Sequence, residues 1–267
     1  LPHGVAAEIA KALLERGLKV IDLSADFRLN DPAVYQEFYD HAHPAPELLE
    51  EAVYGMPEIR GEEIKAARLI ASPGCYPTSI ILPLVPLLKA GLLDPSTIVA
   101  NSMSGVSGAG RKADISLLFV ECNESVRAYG IPKHRHLSEI EQELSIAAGE
   151  KVLITFIPHL IPVNSGIATT TTAKLREGVA PETVGEALEK AYADAAFVRL
   201  LGKGVCADTK NVTRTNFIDI GWSHDARTGR VILTSAEDNL GKGAGSQAVQ
   251  SFNLIFGLPE TAGLQTA

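Results

Sequence analysis

Cysteine is scarce in this chain, with three thiols in 267 residues. So small and odd a number cannot build a disulfide framework for a chain of this size, so a reducing compartment is the natural setting and at least one thiol stays free. Basic charge is short as well. Lysine and arginine number 24 against 32 aspartate and glutamate, a formal net charge of −8. That balance argues against a general nucleic-acid or anionic-membrane binder, so any anion must be held at a local site. No run approaches the roughly 20 apolar residues of a membrane span. The opening Leu1-Pro2-His3-Gly4 has neither the basic nor the apolar region of a secretory leader. These absences point to a soluble protein of the cytoplasm. What remains is 46% hydrophobic and only 21% charged, which supports one large or two smaller cores and excludes disorder and a coiled coil.

Strand and helix signals alternate along the chain. Apolar positions Ile9, Ala10, Leu13 and Leu14 recur at helical spacing before Gly17, and Lys19 to Leu23 reads as a short buried strand. The proline-rich stretch 30–61 reads as an elaborated loop with a short helix from Pro46 to Ala52. Arg68 to Ala71 is a strand, and Ser72-Pro73-Gly74-Cys75-Tyr76-Pro77 a turn into an apolar helix from Thr78 to Ala90. A strand at Thr97 to Ala100 runs into the glycine-rich Ser104 to Arg111. A helix from about Ser138 to Ala148 has Ser138 and Glu141 at capping-box spacing. Strands follow at 152–157, 167–175, 216–222 and 230–234, with a helix after Pro181 and a last one to about Phe256. The class is therefore α/β or α+β, with a strand-rich second part.

Three groups of residues have chemical potential. Cys75 lies between a strand end and a helix whose first turn holds Pro77, so its sulfur sits near open N–H groups at the positive helix pole. That position favours a thiolate, although a small buried hydrophobe fits the position equally. Cys122 and Cys206 have no comparable helix entry and read as structural. The second group is Lys133-His134-Arg135-His136 with Glu139, where an imidazole beside a thiolate would serve as acid and base and the cations would hold an anion. Solvated loop charges and a His-x-His metal site are the alternatives, and His159 is a rival imidazole. The third is the turn Ser104 to Arg111, whose backbone and Arg111 suit a phosphate or carboxylate. Its G-x-x-G-x-G order is not a dinucleotide fingerprint, and a tight connection needing positive φ explains it as well.

Five motifs in order carry a resemblance over nearly the whole chain. They are Tyr54-Gly55-Met56-Pro57-Glu58, Ser72 to Thr78, Ser104 to Arg111, Arg127-Ala128-Tyr129 followed by His134-Arg135-His136 and Glu139-Ile140, and Asp238 to Gly243. Together they resemble the N-acetyl-gamma-glutamyl-phosphate reductases, relatives of the aspartate-semialdehyde dehydrogenases. The resemblance implies NADPH-dependent reduction of an acyl phosphate to an aldehyde in arginine biosynthesis. It implies Cys75 as nucleophile and His136 as acid/base residue, with substrate binding by His134, Glu139, Ser104, Gly105 and Arg111. Cofactor binding falls to Gly74, Asn239, Gly241 and Lys242, with Pro2 to Gly4 and Ser24 to Asp26 also beside NADP(H). No metal is implied, and a homo-oligomer, dimer or tetramer, is.

The resemblance also implies a truncated Rossmann-type nucleotide-binding domain, residues 1–73 completed by 239–267, around an α+β catalytic and dimerisation domain, 74–238. Truncation is implied because the family's opening strand and glycine-rich turn have no counterpart here. A non-catalytic subunit or relic and a cofactor-independent thiol acyltransferase are the alternatives. A second departure is Ser165, where the family commonly has arginine able to grip the substrate anion, so weakened substrate binding is expected unless Arg111, Arg127 or Arg135 compensates.

Overall fold

The computed structural model describes residues 4–111 and 113–264, so Pro2 and His3, expected beside the cofactor, lie outside them. Helix α1 (Val5–Glu15) buries Ala7, Ala10 and Leu14 and leads to strand β1 (Val20–Asp22). The first-turn N–H groups of Gly4 and Ala7 donate to the Asp26 carboxylate at 2.9 and 3.1 Å. Asp26 thus supplies the cap that Gly4, with no side chain, cannot.

The stretch expected to be loop holds three regular elements, α2 (Pro32–Tyr39), β2 (Val53–Tyr54) and α3 (Pro57–Ala66), whereas the helix expected at 46–52 is one 3₁₀ turn. Pro32 and Pro57 open helices instead of breaking them. At the first helical position the missing N–H is no loss, and the Asp31 side chain accepts from Ala33 N at 2.8 Å. Strand β3 (Leu69–Ala71) then enters between β1 and β2 to make a small, wholly parallel sheet of order β1-β3-β2.

Helix α4 (Cys75–Lys89) begins three residues before the expected Thr78, so Cys75 is its first residue and Gly74 its cap. Pro83 and Pro86 lie inside it, and each removes the N–H that would bond the carbonyl four residues back. Both freed carbonyls are satisfied from outside. Ser235 Oγ donates to Ser79 O at 2.6 Å, and Tyr192 Oη donates to Leu82 O at 2.6 Å. The prolines therefore tie α4 to its neighbours.

Next come β4 (Leu93–Ser104), α5 (Phe119–Cys122), β5 (Arg127–Ala128), α6 (His136–Ala148), β6 (Thr155–Leu160) and β7 (Ile167–Leu175). The chain continues with α7 (Thr183–Tyr192), β8 (Val198–Lys203), β9 (Ile218–Asp225), β10 (Arg230–Glu237) and α8 (Ser246–Ile255). The strands form one mixed seven-stranded sheet, β5-β6-β4-β7-β10-β9-β8. The main core lies between one sheet face and helices α4, α6 and α7, from Ile80, Leu84, Ile140, Leu144, Val184 and Leu188 to Ile98, Phe156, Ile220 and Leu233.

Helix α8 returns to the first part of the chain, where Ile255 packs with Ile64, Ala67 and Ile70. The expected capping box is absent. Ser138 sits inside α6 and donates to Arg135 O, while Glu141 accepts from Ile154 N at 3.0 Å and joins α6 to the approach of β6. Among the described residues no helix is long and apolar enough to cross a membrane.

Candidate active site

The turn from β3 into α4 places Cys75 where two cavities meet. The larger, about 580 Å³, is lined by Cys75, Ser104, Gly105, Arg127, Tyr129 and His134, with Arg135 and His136. The smaller, about 250 Å³, is lined by Cys75 and His136 again, with Leu23, Gly74, Asn239 and Gly243 among the others. Cys75 and His136 are thus common to both. Their closeness is also written in Gly74, where a Cβ would lie 2.4 Å from His136 Nε2. Gly105 is required for a similar reason, since a Cβ there would meet Asn164 O at 2.6 Å.

His134 and His136 differ in their surroundings. Their rings pack edge-on, with centroids 4.9 Å apart, in a cluster with Tyr76, Tyr129 and Phe156. Burial and the adjacent Arg135 guanidinium push His134 down to about 4, and its Nδ1 accepts the His136 N–H at 3.1 Å. It is a neutral ring at physiological pH, with its acceptor nitrogen used to hold the start of α6. His136, unlike His134, lines both cavities. His159 on β6 lines neither cavity and contacts Ile157 O through Nδ1.

The thiol departs from expectation. Burial, the largest influence, pushes Cys75 up; a negative charge at Glu237 would act in the same direction, as Glu139 does, while the Arg28 guanidinium and the Tyr76 N–H oppose it. The helix terminus does act in the expected direction, but the desolvation of a site enclosed by β10 and α6 is larger. Of the other thiols, Cys122 is buried and contacts Ser116 O, while Cys206 is exposed.

Four of the expected ligand residues stand elsewhere. Glu139, expected at the substrate, is 1% exposed and lines neither cavity. It accepts instead from Arg28 Nη1 at 3.0 Å, Tyr54 Oη at 2.7 Å and Gly74 N at 3.0 Å, with His136 Nε2 at 4.0 Å. It anchors the residue before the cysteine. Arg111 is exposed and outside both cavities.

Lys242, expected at the cofactor, is fully buried and donates to Glu58 Oε1 at 2.6 Å and Gln250 Oε1 at 2.7 Å. Gly241 lies against Thr215 O, which a Cβ would approach to 2.4 Å, and its N–H donates to Asp238 Oδ1. Ser24 to Asp26 is buried, so Leu23 fronts the smaller cavity in its place. Asn239 does line that cavity, accepting from Gly166 N at 2.7 Å and donating to Ser107 Oγ at 2.9 Å.

Arg28 was missed by sequence reasoning. It donates to Ser72 O at 2.7 Å and Leu23 O at 3.2 Å as well as to Glu139. Its position in Ala25-Asp26-Phe27-Arg28-Leu29, an arginine between apolar neighbours, was the signal available.

The smaller cavity suits the flat nicotinamide end of a dinucleotide. Gly74, Gly108, Gly110 and Gly243 line it, and a Cβ at Gly243 would lie 3.2 Å from Cys75 Cβ. At the start of α1 two N–H groups, those of Gly4 and Ala7, are already taken by the Asp26 carboxylate. Among the described residues no three His, Cys, Asp or Glu side chains are grouped to hold a metal ion.

Residues 1–67 match the family model for the NAD-binding domain of semialdehyde dehydrogenases, and residues 75–239 match the model for their dimerisation domain. The fold agrees. Aspartate semialdehyde dehydrogenase II from Vibrio cholerae superposes with a TM-score of 0.70 at 18% identity, over 94% of this chain and 76% of that one. A fold with a Rossmann-like NAD-binding part and a mixed dimerisation sheet, bearing a thiol at the start of α4 and an imidazole at the start of α6, defines a protein of the semialdehyde-dehydrogenase class.

Within that class two relatives are much nearer in sequence. The N-acetyl-gamma-glutamyl-phosphate reductase of Akkermansia muciniphila is 67% identical over 99% of this chain and 76% of its own length. That of Geobacter metallireducens is 53% identical over 99% of this chain and 77% of its own. The chain belongs to the N-acetyl-gamma-glutamyl-phosphate reductase family.

Proposed function

We propose that this chain reduces N-acetyl-L-glutamyl 5-phosphate to N-acetyl-L-glutamate 5-semialdehyde and phosphate, with NADPH as the reductant, as a step of arginine biosynthesis. The observation that carries this reading is the position of Cys75 and His136 between a cavity lined by Arg127 and Arg135 and a second one lined by glycines. Cations on one side suit an anionic acyl phosphate, and bare backbone on the other suits a flat ring.

In this reading Gly74, Asn239 and Gly243 hold the nicotinamide end, which when bound supplies a hydride at the carbon attached to Cys75. The sulfur attacks the acyl carbon, the bond from that carbon to the phosphate oxygen breaks, and a thioester joins substrate to Cys75. Because the buried thiol keeps its proton at neutral pH, proton transfer to His136 accompanies the attack. His136 then hands that proton to the departing phosphate. Open N–H groups in the first turn of α4, that of Tyr76 among them, stabilise the oxyanion. When the aldehyde leaves, His136 delivers a solvent proton to the sulfur. Glu139 lies outside both cavities and acts by fixing Gly74, and Arg28, which lines the smaller cavity, holds Glu139 in place.

The division into a cofactor-binding part, 1–73 with 239–267, and a catalytic and dimerisation part, 74–238, belongs to the same reading. So does a homo-oligomer formed through the seven-stranded sheet. Incubating the chain with the semialdehyde, phosphate and NADP and following the near-ultraviolet absorbance of reduced nicotinamide tests the function, since the reaction is reversible. Cys75-dependent absorbance growth is expected. Acylation of Cys75 without cofactor turnover would instead identify a thiol acyltransferase, and inertness in both assays a non-catalytic subunit.

A further inference from the structure

Beneath the first turn of α4 lies a buried cluster of charged residues with no part in the reaction above. Ser235 and Glu237 share one face of β10, two residues apart on a strand. Ser235 reaches Ser79 O on α4, and Ser79 is one helical turn beyond Cys75, so Glu237 comes to lie by the start of that helix. The segment after β10 closes on the same place, bringing Gly243 against Cys75. Glu237 is 0% exposed, and neither carboxyl oxygen has a hydrogen-bond partner among the described residues.

The charged groups around Glu237 are Lys242 on the turn after β10, the adjacent Asp238, Glu58 on α3 and the Cys75 thiol on α4. The one ammonium among them is committed to Glu58 and Gln250. Asp238 is satisfied separately, accepting from the N–H groups of Arg214, Leu240 and Gly241 at 2.6, 2.8 and 2.9 Å. Facing Cys75 from the other side, Arg28 and Glu139 are paired with each other, and His136 completes the surroundings.

A carboxylate stripped of water with no partner of its own costs several kcal/mol, and such a group takes up a proton instead. We propose that Glu237 stands as the uncharged acid beneath Cys75, that Glu58 keeps it so by occupying Lys242, and that this neutrality sets how readily the thiol ionises. Glu237 is thus a positioning residue acting through Cys75. The direction of its titration agrees. Burial drives it well above the usual carboxylate range, Lys242 and the Ser79 N–H, near but outside hydrogen-bonding geometry, oppose this, and Asp238 and Glu58 add to it. Glu58 goes the other way, since despite its burial Lys242 holds it below that range. The proposal rests on the reading of Cys75 as the reactive thiol and removes one of the two largest influences that keep its proton in place.

The test is the pH dependence of Cys75 alkylation by iodoacetamide in the full chain, read by peptide mass spectrometry so that Cys122 and Cys206 do not intrude. Glu237→Gln, a neutral replacement, is expected to leave the midpoint within about 0.3 unit of the parent. Glu58→Gln frees Lys242 to draw the proton off Glu237, and the midpoint is expected to rise by about one unit, a tenfold slower reaction at fixed pH. The double variant Glu58→Gln, Glu237→Gln is expected to return to the parent value or below.

A drop of one unit or more in Glu237→Gln would show a charged carboxylate in the parent and overturn the proposal, as would an unmoved midpoint in Glu58→Gln. If Glu58→Gln does not fold, infrared spectroscopy decides. The carbonyl band of a protonated carboxyl is expected in the parent at about pH 8 and lost in Glu237→Gln, and its absence from the parent refutes the neutral acid. Alkylation needs neither substrate nor cofactor, so a chain without reductase activity would sink the proposed function and leave this test standing.

Discussion

Replacing Arg28 by methionine probes the link between fold and site most directly. The guanidinium is 8% exposed and the Glu139 carboxylate 1%, so the pair is desolvated and its disruption leaves a buried charge behind. Removing one member of such a pair costs about 3–5 kcal/mol. Glu139 would keep the Tyr54 hydroxyl and the Gly74 N–H but lose its cation. For a domain of this size that corresponds to a fall in Tm of roughly 6–20 °C.

A catalytic loss is expected too, because Glu139 orients the peptide just before Cys75 and displacements near 1 Å cost about a hundredfold in rate. The expected result is a kcat lowered by about ten- to a hundredfold with a smaller change in KM. Arg28→Lys keeps the charge but cannot span Ser72 O, Leu23 O and Glu139 together, and is expected to lose about 1–2 kcal/mol. Thermal melts followed by circular dichroism and steady-state rates measure both effects. A methionine variant melting within about 2 °C of the parent with unchanged kcat would refute the reasoning.

Cys75→Ser is expected to abolish semialdehyde oxidation while leaving the melt nearly unchanged, as measured by nicotinamide absorbance and calorimetry. Arg127→Met or Arg135→Met should raise the KM for the acyl phosphate by about tenfold or more, whereas Arg111→Met, outside both cavities, should change it less than about twofold. Lys242→Met strands Glu58 and should cost about 3–5 kcal/mol in chemical denaturation, with no selective loss of NADPH affinity. For His134 the unfolded chain gains its proton near 6.5 and the folded one only near 4. Stability from this ring is therefore complete above about 6.5 and declines as pH falls towards about 4. Urea midpoints measured across that window should show the decline, and His134→Gln should remove that part of it.

The local signals read from the chain were those whose physics is local. The Ser72 to Pro77 turn places a cysteine at a helix start because glycine and proline punctuate the backbone there, and α1, α7, α8 and β7 follow from hydrophobic spacing. Region 30–61 holds more regular structure than its composition suggests, because Pro32 and Pro57 look like breakers although each opens a helix. Ser138 and Glu141 have capping-box spacing, but α6 starts two residues earlier, where His134 accepts the His136 N–H.

Two of the assignments that moved, Glu139 and Lys242, are charged positions whose charged partners lie far away in the chain. Lys242 is 184 residues from Glu58, and Glu139 is 111 from Arg28. No spacing rule connects such pairs.

The sequence by itself determined the family, the helix-mouth cysteine and the neighbouring histidines, because short-range backbone chemistry and ordered motifs carry that information. Only the tertiary structure decided which imidazole lines both cavities, which charges are spent on one another, and how tightly the thiol holds its proton. Those are properties of desolvation and of contacts made across the fold, and they arise when β10, α3 and α6 close around the first turn of α4.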